Sequence, residues 1–307
     1  MWPFKKQQDS SPYAEGPDRL ELALGNRDWP AVRDILTASD PERLMFRLRW
    51  LSHHQGLEEW IPDVVRAEPD ATLPRLVYGA RAISWAWEAR GNGGSETVGQ
   101  DQWKIWFDRL KLAENCLDKV VDRAPDCAEA WHYLVILGRA RQLPLAEQWR
   151  RFDRLIAIDP THFYGHEQML ENLMPKWSGS TEAMFDFART RAAACPGTDI
   201  PLLVAKAHLE HRRSAGGAGY LRRNEVAGEI YAAAHNSFWH DDYQRSRATP
   251  QVWNHFAYGL TMGRYYREAC AVYDLIGDDF VRTAPWNSTE RFLELRDRAR
   301  DRADDLI

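Results

Sequence analysis

The chain has 307 residues, 44% of them hydrophobic and 28% charged, with a net charge of −5. That composition suits a globular chain long enough for one repeat domain or two compact ones, and its acidic balance argues against a nucleic-acid binder, which needs a basic surface. No apolar run approaches a membrane span or a leader after Met1, and Cys116, Cys127, Cys195 and Cys270 lack the spacing of zinc or disulfide frameworks, so a cytoplasmic protein with reduced thiols, no cofactor and no membrane partner is expected.

Residues 1–16 are polar, with Pro3, Pro12 and Gly16, and are expected to form a disordered or loosely attached tail. The remainder, 17–307, is expected as a single helical domain, irregular over 17–70. Asp18–Leu24 and Trp29–Thr37 read as short helices split by the turn signal Gly25-Asn26. Asp40 caps and Pro41 opens a helix through His53. Gly56 breaks it, and Leu57–Ala67 follows with Pro62 as an irregularity. A longer helix runs from Thr72 to Arg90, and Gly91-Asn92-Gly93-Gly94-Ser95 then reads as a loop insertion. The helix Gln102–Arg123 carries Trp106, Leu110, Ala113, Leu117 and Val120 on one side. Asp126 and Glu129 are expected to form a capping box for 127–141, which pairs with 144–158. Thr161–Leu173 and Thr181–Ala194 form the next pair. Asp199–Arg213 and Leu221–His235 are joined flexibly by Gly216-Gly217-Ala218-Gly219, and Ser237–Ala248 fits no element. Thr249-Pro250 opens a further pair, and Asn287 with Glu290 reads as a capping box for a terminal helix, 287–307, bearing Phe292, Leu295, Ala299, Ala303 and Leu306. Pro125, Pro160 and Pro196 are 35 and 36 residues apart, and a period near 34 with two helices per unit is the signature of stacked helical hairpins over 71–286.

Two units resemble tetratricopeptide repeats: Trp131, Leu134-Val135, Gly138, Ala146, Phe152, Leu155 and Pro160, and then Trp253, Phe256-Ala257, Leu260, Gly263, Ala269, Tyr273 and Ile276. A wider stretch, about 70–210, resembles an uncharacterised bacterial family that carries such repeats. The similarity lies in Ala86-Trp87-Glu88-Ala89-Arg90-Gly91, in Gln102-Trp103 with Leu110 and Ala113-Glu114, and in Pro175-Lys176-Trp177-Ser178-Gly179-Ser180 with Met184 and Phe187-Ala188-Arg189. The resemblance implies an all-α fold, an α-solenoid of stacked antiparallel helix hairpins, and carries no activity with it. Some tetratricopeptide proteins clamp a chaperone's carboxylate tail, but Ile136 and His132 stand where that clamp has Asn and Lys.

The candidate chemistry is sparse. His162 and His166 are four apart on an expected helix and would share a face, but a metal needs a third ligand. His208 with His211 and His235 with His240 pose the same question, and all read as packing or surface histidines. No nucleophile elbow and no phosphate-binding loop is present. Arg212-Arg213, Arg222-Arg223, Arg245 and Arg247 read as a solvated loop edge, with an acidic partner as the alternative. The expected function is a non-catalytic scaffold for a protein or peptide. Its groove would present Glu129, His132, Arg139, Tyr164, Glu167, Asn254 and Tyr258 from the first helix of each unit. Its inserted edge would present Lys176 and Trp177, with Trp177 read first as a plug folded onto its hairpin. The alternative is an enzyme or metalloprotein with a pocket built on His132, His162 or His166.

Overall fold

The computed structural model describes residues 18–91, 93, 97–177 and 179–305. The tail expected at 1–16, part of the glycine-rich insertion and Leu306 lie outside the described residues. Among these residues the chain is all-helical, with no strand. The helices are α1 Asp18–Gly25, α2 Trp29–Thr37, α3 Pro41–Ser52, α4 Leu57–Ala67, α5 Leu73–Arg90, α6 Gln100–Arg123, α7 Ala128–Ala140 and α8 Leu145–Ile158. They continue as α9 Phe163–Asn172, α10 Thr181–Ala194, α11 Leu202–His211, α12 Asn224–His235, α13 Thr249–Met262, α14 Tyr266–Ile276 and α15 Thr289–Asp304.

Short polar side chains start several of these helices. Asp28, Asp40, Ser180 and Ser288 each accept a hydrogen bond from a backbone N–H in the first turn of α2, α3, α10 and α15. One device ends four of them. Glu68, Ala124, Asp159 and Cys195 follow α4, α6, α8 and α10, each directly before a proline, with φ of −117°, −132°, −129° and −130°. The proline ring excludes the α conformation from the residue before it, so the helix stops there. Each of these residues still donates its N–H to the carbonyl four residues back, to Val64, Val120, Leu155 and Arg191.

Three sequence expectations are corrected. Asp126 and Glu129 make no capping box: Cys127 stands at the cap of α7 without a side-chain bond, and Glu129 turns inward and is buried. Ser288, not Asn287, caps α15, while Asn287 takes a left-handed turn conformation at φ 72°. The glycine run at 216–219 is no loose joint but opens a 3-10 helix, Gly217–Arg222, because Tyr220 and Leu221 behind it are buried. The unassigned segment 237–248 has no regular element and is pinned by Asp199, which accepts hydrogen bonds from Tyr243 Oη at 2.6 Å and from Ser246 Oγ.

The chain divides into two compact units, Met1–Gly165 and His166–Ile307. In the first, α5 lies along α6 and also meets α3, α4 and α7, while α7 packs on α6 and α8. In the second, α11 packs on α10, α12 and α13, and α13 packs on α12, α14 and α15. Small residues set several of these approaches. A Cβ on Gly79 would stand 2.8 Å from Leu117 Cγ, and one on Gly263 2.9 Å from Ala227 Cβ. Gly263 thus spaces α13 from α12. Gly138 faces Gln148, which is fully buried, whereas Ala146 of the expected repeat pattern is exposed. The first unit also buries an ionic junction: Arg81 is 0% exposed and bonds Glu58 at 2.7 Å, Glu88 at 2.6 and 2.9 Å, and the Ser52 carbonyl at 3.1 Å.

Candidate functional site

In the first unit the groove candidates gather around α7. Glu129 and His132 are buried on one side of that helix. His162 Nε2 lies 3.4 Å from Glu129 Oε1, and its Nδ1 accepts the Gly165 N–H at 2.9 Å. With Nδ1 accepting, Nε2 carries the proton that points at the carboxylate. The rings of His162 and His132 are 5.0 Å apart. Burial works against the charged form of His162, but the hydrogen bond and charge of Glu129 outweigh it, so its pKa is raised. Burial holds His132 well below the ordinary value, and the charges of His162, Arg49 and Arg139 add to this. The two rings are thus shifted in opposite directions, His162 towards the protonated form and His132 towards the neutral one. Glu129 Oε2 and His132 Nδ1 are buried without a hydrogen-bond partner among the described residues. Tyr164 is buried too, its ring edge-on to Phe46 at 5.9 Å and under the Arg49 guanidinium at 4.8 Å. Arg139 is half-buried.

α9 begins at Phe163, so His162 stands just before the helix that carries His166. His166 belongs with Arg191, whose Nε donates to its Nε2 at 3.0 Å, and stacks on Phe187. Among the described residues no group of three or more His, Cys, Asp or Glu is arranged to hold a metal ion.

In the second unit Glu167 is half-buried, paired with Lys206 and accepting from Gln251 Nε2 at 2.6 Å. His255 lies in the same surroundings, and burial together with the Lys206 charge lowers its pKa to about 3. Asn254 is fully buried and Tyr258 is buried. The Tyr258 hydroxyl accepts from Arg212, whose guanidinium also sits 5.0 Å from the ring. Lys176 is exposed and bridges Glu171 at 3.0 Å and Glu210 at 3.3 Å. Trp177 is half-buried and donates its indole N–H back to Glu171 at 3.1 Å. His208 lies between Tyr220 Oη at 2.7 Å and Glu229 Oε2 at 2.9 Å. This chain has the form of a proton relay, but burial raises the Tyr220 pKa, the reverse of an activated nucleophile.

Five of the nine groove and edge candidates, Glu129, His132, Tyr164, Asn254 and Tyr258, are thus enclosed, which leaves Arg139, Glu167, Lys176 and Trp177 with open surface. The surface that sequence reasoning did not single out is the end of the α5–α6 hairpin. There the Arg90 guanidinium lies 5.5, 5.6 and 5.9 Å from the rings of Trp87, Trp103 and Trp106. Phe107 stacks on Trp103 at 5.9 Å and is 52% exposed, and Ile105 on the same helix is also exposed. The signal was present: Phe107 stands off the stripe Trp106, Leu110, Ala113 and Leu117, all of which are buried.

Compared with models of protein families, with curated proteins and with solved structures, the chain matches none.

Proposed function

We propose that the protein is a non-catalytic scaffold, a tetratricopeptide-like α-solenoid that binds a protein or peptide at the α5–α6 hairpin edge. Stacked hairpins are supported by the packing within each unit, where first helices touch one another in sequence: α3, α5 and α7, then α11, α13 and α15. The observation that carries the binding reading is the exposed Phe107 stacked on Trp103, which is itself held beside Arg90. Aromatic and arginine side chains are enriched among the residues that dominate protein interfaces. The partner would present a complementary apolar pocket to Phe107, with polar contacts around its rim.

The test is capture by the immobilised full chain from the source organism, repeated with Phe107→Asp and with Trp177→Ala. Loss of the captured partner in Phe107→Asp, with helical circular dichroism unchanged, supports the hairpin edge. Retention in Phe107→Asp with loss in Trp177→Ala would move recognition to the 175–180 loop. A second reading, a His-containing pocket, is favoured by the Glu129–His162 pair beside His132. Stoichiometric metal in elemental analysis of purified protein, abolished by His162→Ala, would bring it forward.

A further inference from the structure

We propose that a cleft in the second unit is a binding site for a small polyanion, one carrying at least two phosphate or carboxylate groups. The cleft has a volume of about 490 Å³, and Arg222, Arg264, Arg298 and Arg302 line it together with Tyr266 and, as the one carboxylate among the described residues, Asp305. That size lies in the range of small-ligand sites. Among the described residues four guanidiniums against one carboxylate leave three positive charges in one cleft, on a chain whose net charge is −5. Helices α13 and α15 also end here, at Met262 and Asp304. Each helix C-terminus brings about half a negative charge, so a surplus of roughly two positive charges remains.

The partners of these arginines carry the inference. Along α15, Arg291 has Glu294 at 2.6 Å, Arg296 has Asp278 at 3.5 Å, Arg300 has Asp274 at 3.3 Å, and Arg302 has Asp305 at 3.6 Å. Arg298 on the same helix has no carboxylate among the described residues. Its Nη2 faces only Met262 Sδ, at 3.5 Å, and its Nε is buried without a hydrogen-bond partner. A thioether is a weak acceptor for a full positive charge. Arg222 and Arg264 are exposed at the rim and likewise have no carboxylate partner among the described residues. Other arginines of the basic stretches do settle on neighbours: Arg212 on Tyr258, Arg223 on Tyr220, Arg245 on Trp253 and Arg213 on Glu210. Arg222 points instead to the cleft that Arg298 and Arg302 line from one turn apart on α15. Guanidinium forks match the paired oxygens of phosphates and carboxylates, which fits a ligand with several such groups.

This site is independent of the aromatic edge at Phe107, so either proposal can fail alone. The test titrates inorganic pyrophosphate, and separately citrate, into the full chain by calorimetry at fixed ionic strength set with NaCl. Saturable binding of either anion is expected, weakening as NaCl rises, with a Kd at least tenfold higher in Arg222→Gln/Arg264→Gln and in Arg298→Gln. The first variant changes only exposed side chains, which keeps folding out of the comparison. Preference for pyrophosphate assigns a phosphate ligand, and preference for citrate a polycarboxylate. Heats no larger than those of NaCl alone for both anions, or an unchanged Kd in both variants, overturn the proposal.

Discussion

Asn254 uses its whole hydrogen-bonding capacity inside the second unit. Its Nδ2 donates to the carbonyls of Pro250 at 2.7 Å and Phe280 at 2.8 Å, and its Oδ1 accepts from Trp286 Nε1 at 2.7 Å and the Arg282 N–H at 3.1 Å. It ties the segment before α15 to α13. Asn254→Ala would strand two donors, and a loss of about 3 kcal/mol in urea unfolding is expected from the desolvation of unpaired groups. Histidines give opposed pH signatures at the same scale. The raised pKa of His162 means a stabilisation that is full below about pH 6.5, the unfolded value, and is lost as pH climbs through the folded value. Glu129→Gln should flatten that loss. His255 works the other way: its stabilising effect is present above about pH 6.5 and is lost as pH falls towards its folded pKa of about 3. Unfolding midpoints measured from pH 5 to 8 for Glu129→Gln and His255→Gln would show whether the slopes separate. The sequence placed Glu129 and His132 on one side of a helix, three residues apart. It did not say that this side would be covered, because the ring that meets both side chains, His162, is distant in the chain.

Helix ends were the most legible feature of the elements. A proline fixes its own φ and restricts the residue before it, so Ala124-Pro125, Asp159-Pro160 and Cys195-Pro196 could be read locally, and Glu68-Pro69 repeats the device. Side-chain caps were less legible: Asn287 has Ser288 beside it and Ser288 takes the cap, while α7 starts at Cys127 with no side-chain cap bond at all. Packing partners were least legible. Gly138 invites a small partner from the repeat pattern, yet it faces the buried Gln148, whose Nε2 donates to the Leu143 carbonyl at 2.7 Å. A Cβ there would lie 3.3 Å from Gln148 Cγ, so Gly138→Leu is expected to overpack α7 against α8 and lower stability by about 1–3 kcal/mol in chemical unfolding. The ionic junction joins elements in the same way. Arg81→Met leaves Glu58 and Glu88 without their cation, and a loss of about 3 kcal/mol is expected from an uncompensated, partly buried charge pair.

The whole molecule contains two compact units, each with its own core. Scanning calorimetry should therefore resolve the effects of two substitutions: Arg81→Met should lower the transition of Met1–Gly165, and Asn254→Ala that of His166–Ile307. One transition shifted equally by both would show that the chain melts as a single cooperative body. The Arg90 cluster has a consequence for association at this scale. Three indoles stand around one guanidinium, and Phe107 rests on one of them, Trp103. Ordering a mobile side chain on binding costs about 0.5–1.5 kcal/mol, and contacts already made within the chain reduce that cost. On the proposed reading, complex formation at this edge should show a small conformational-entropy penalty, and Arg90→Ala should weaken affinity through entropy, although Arg90 itself need not touch the partner.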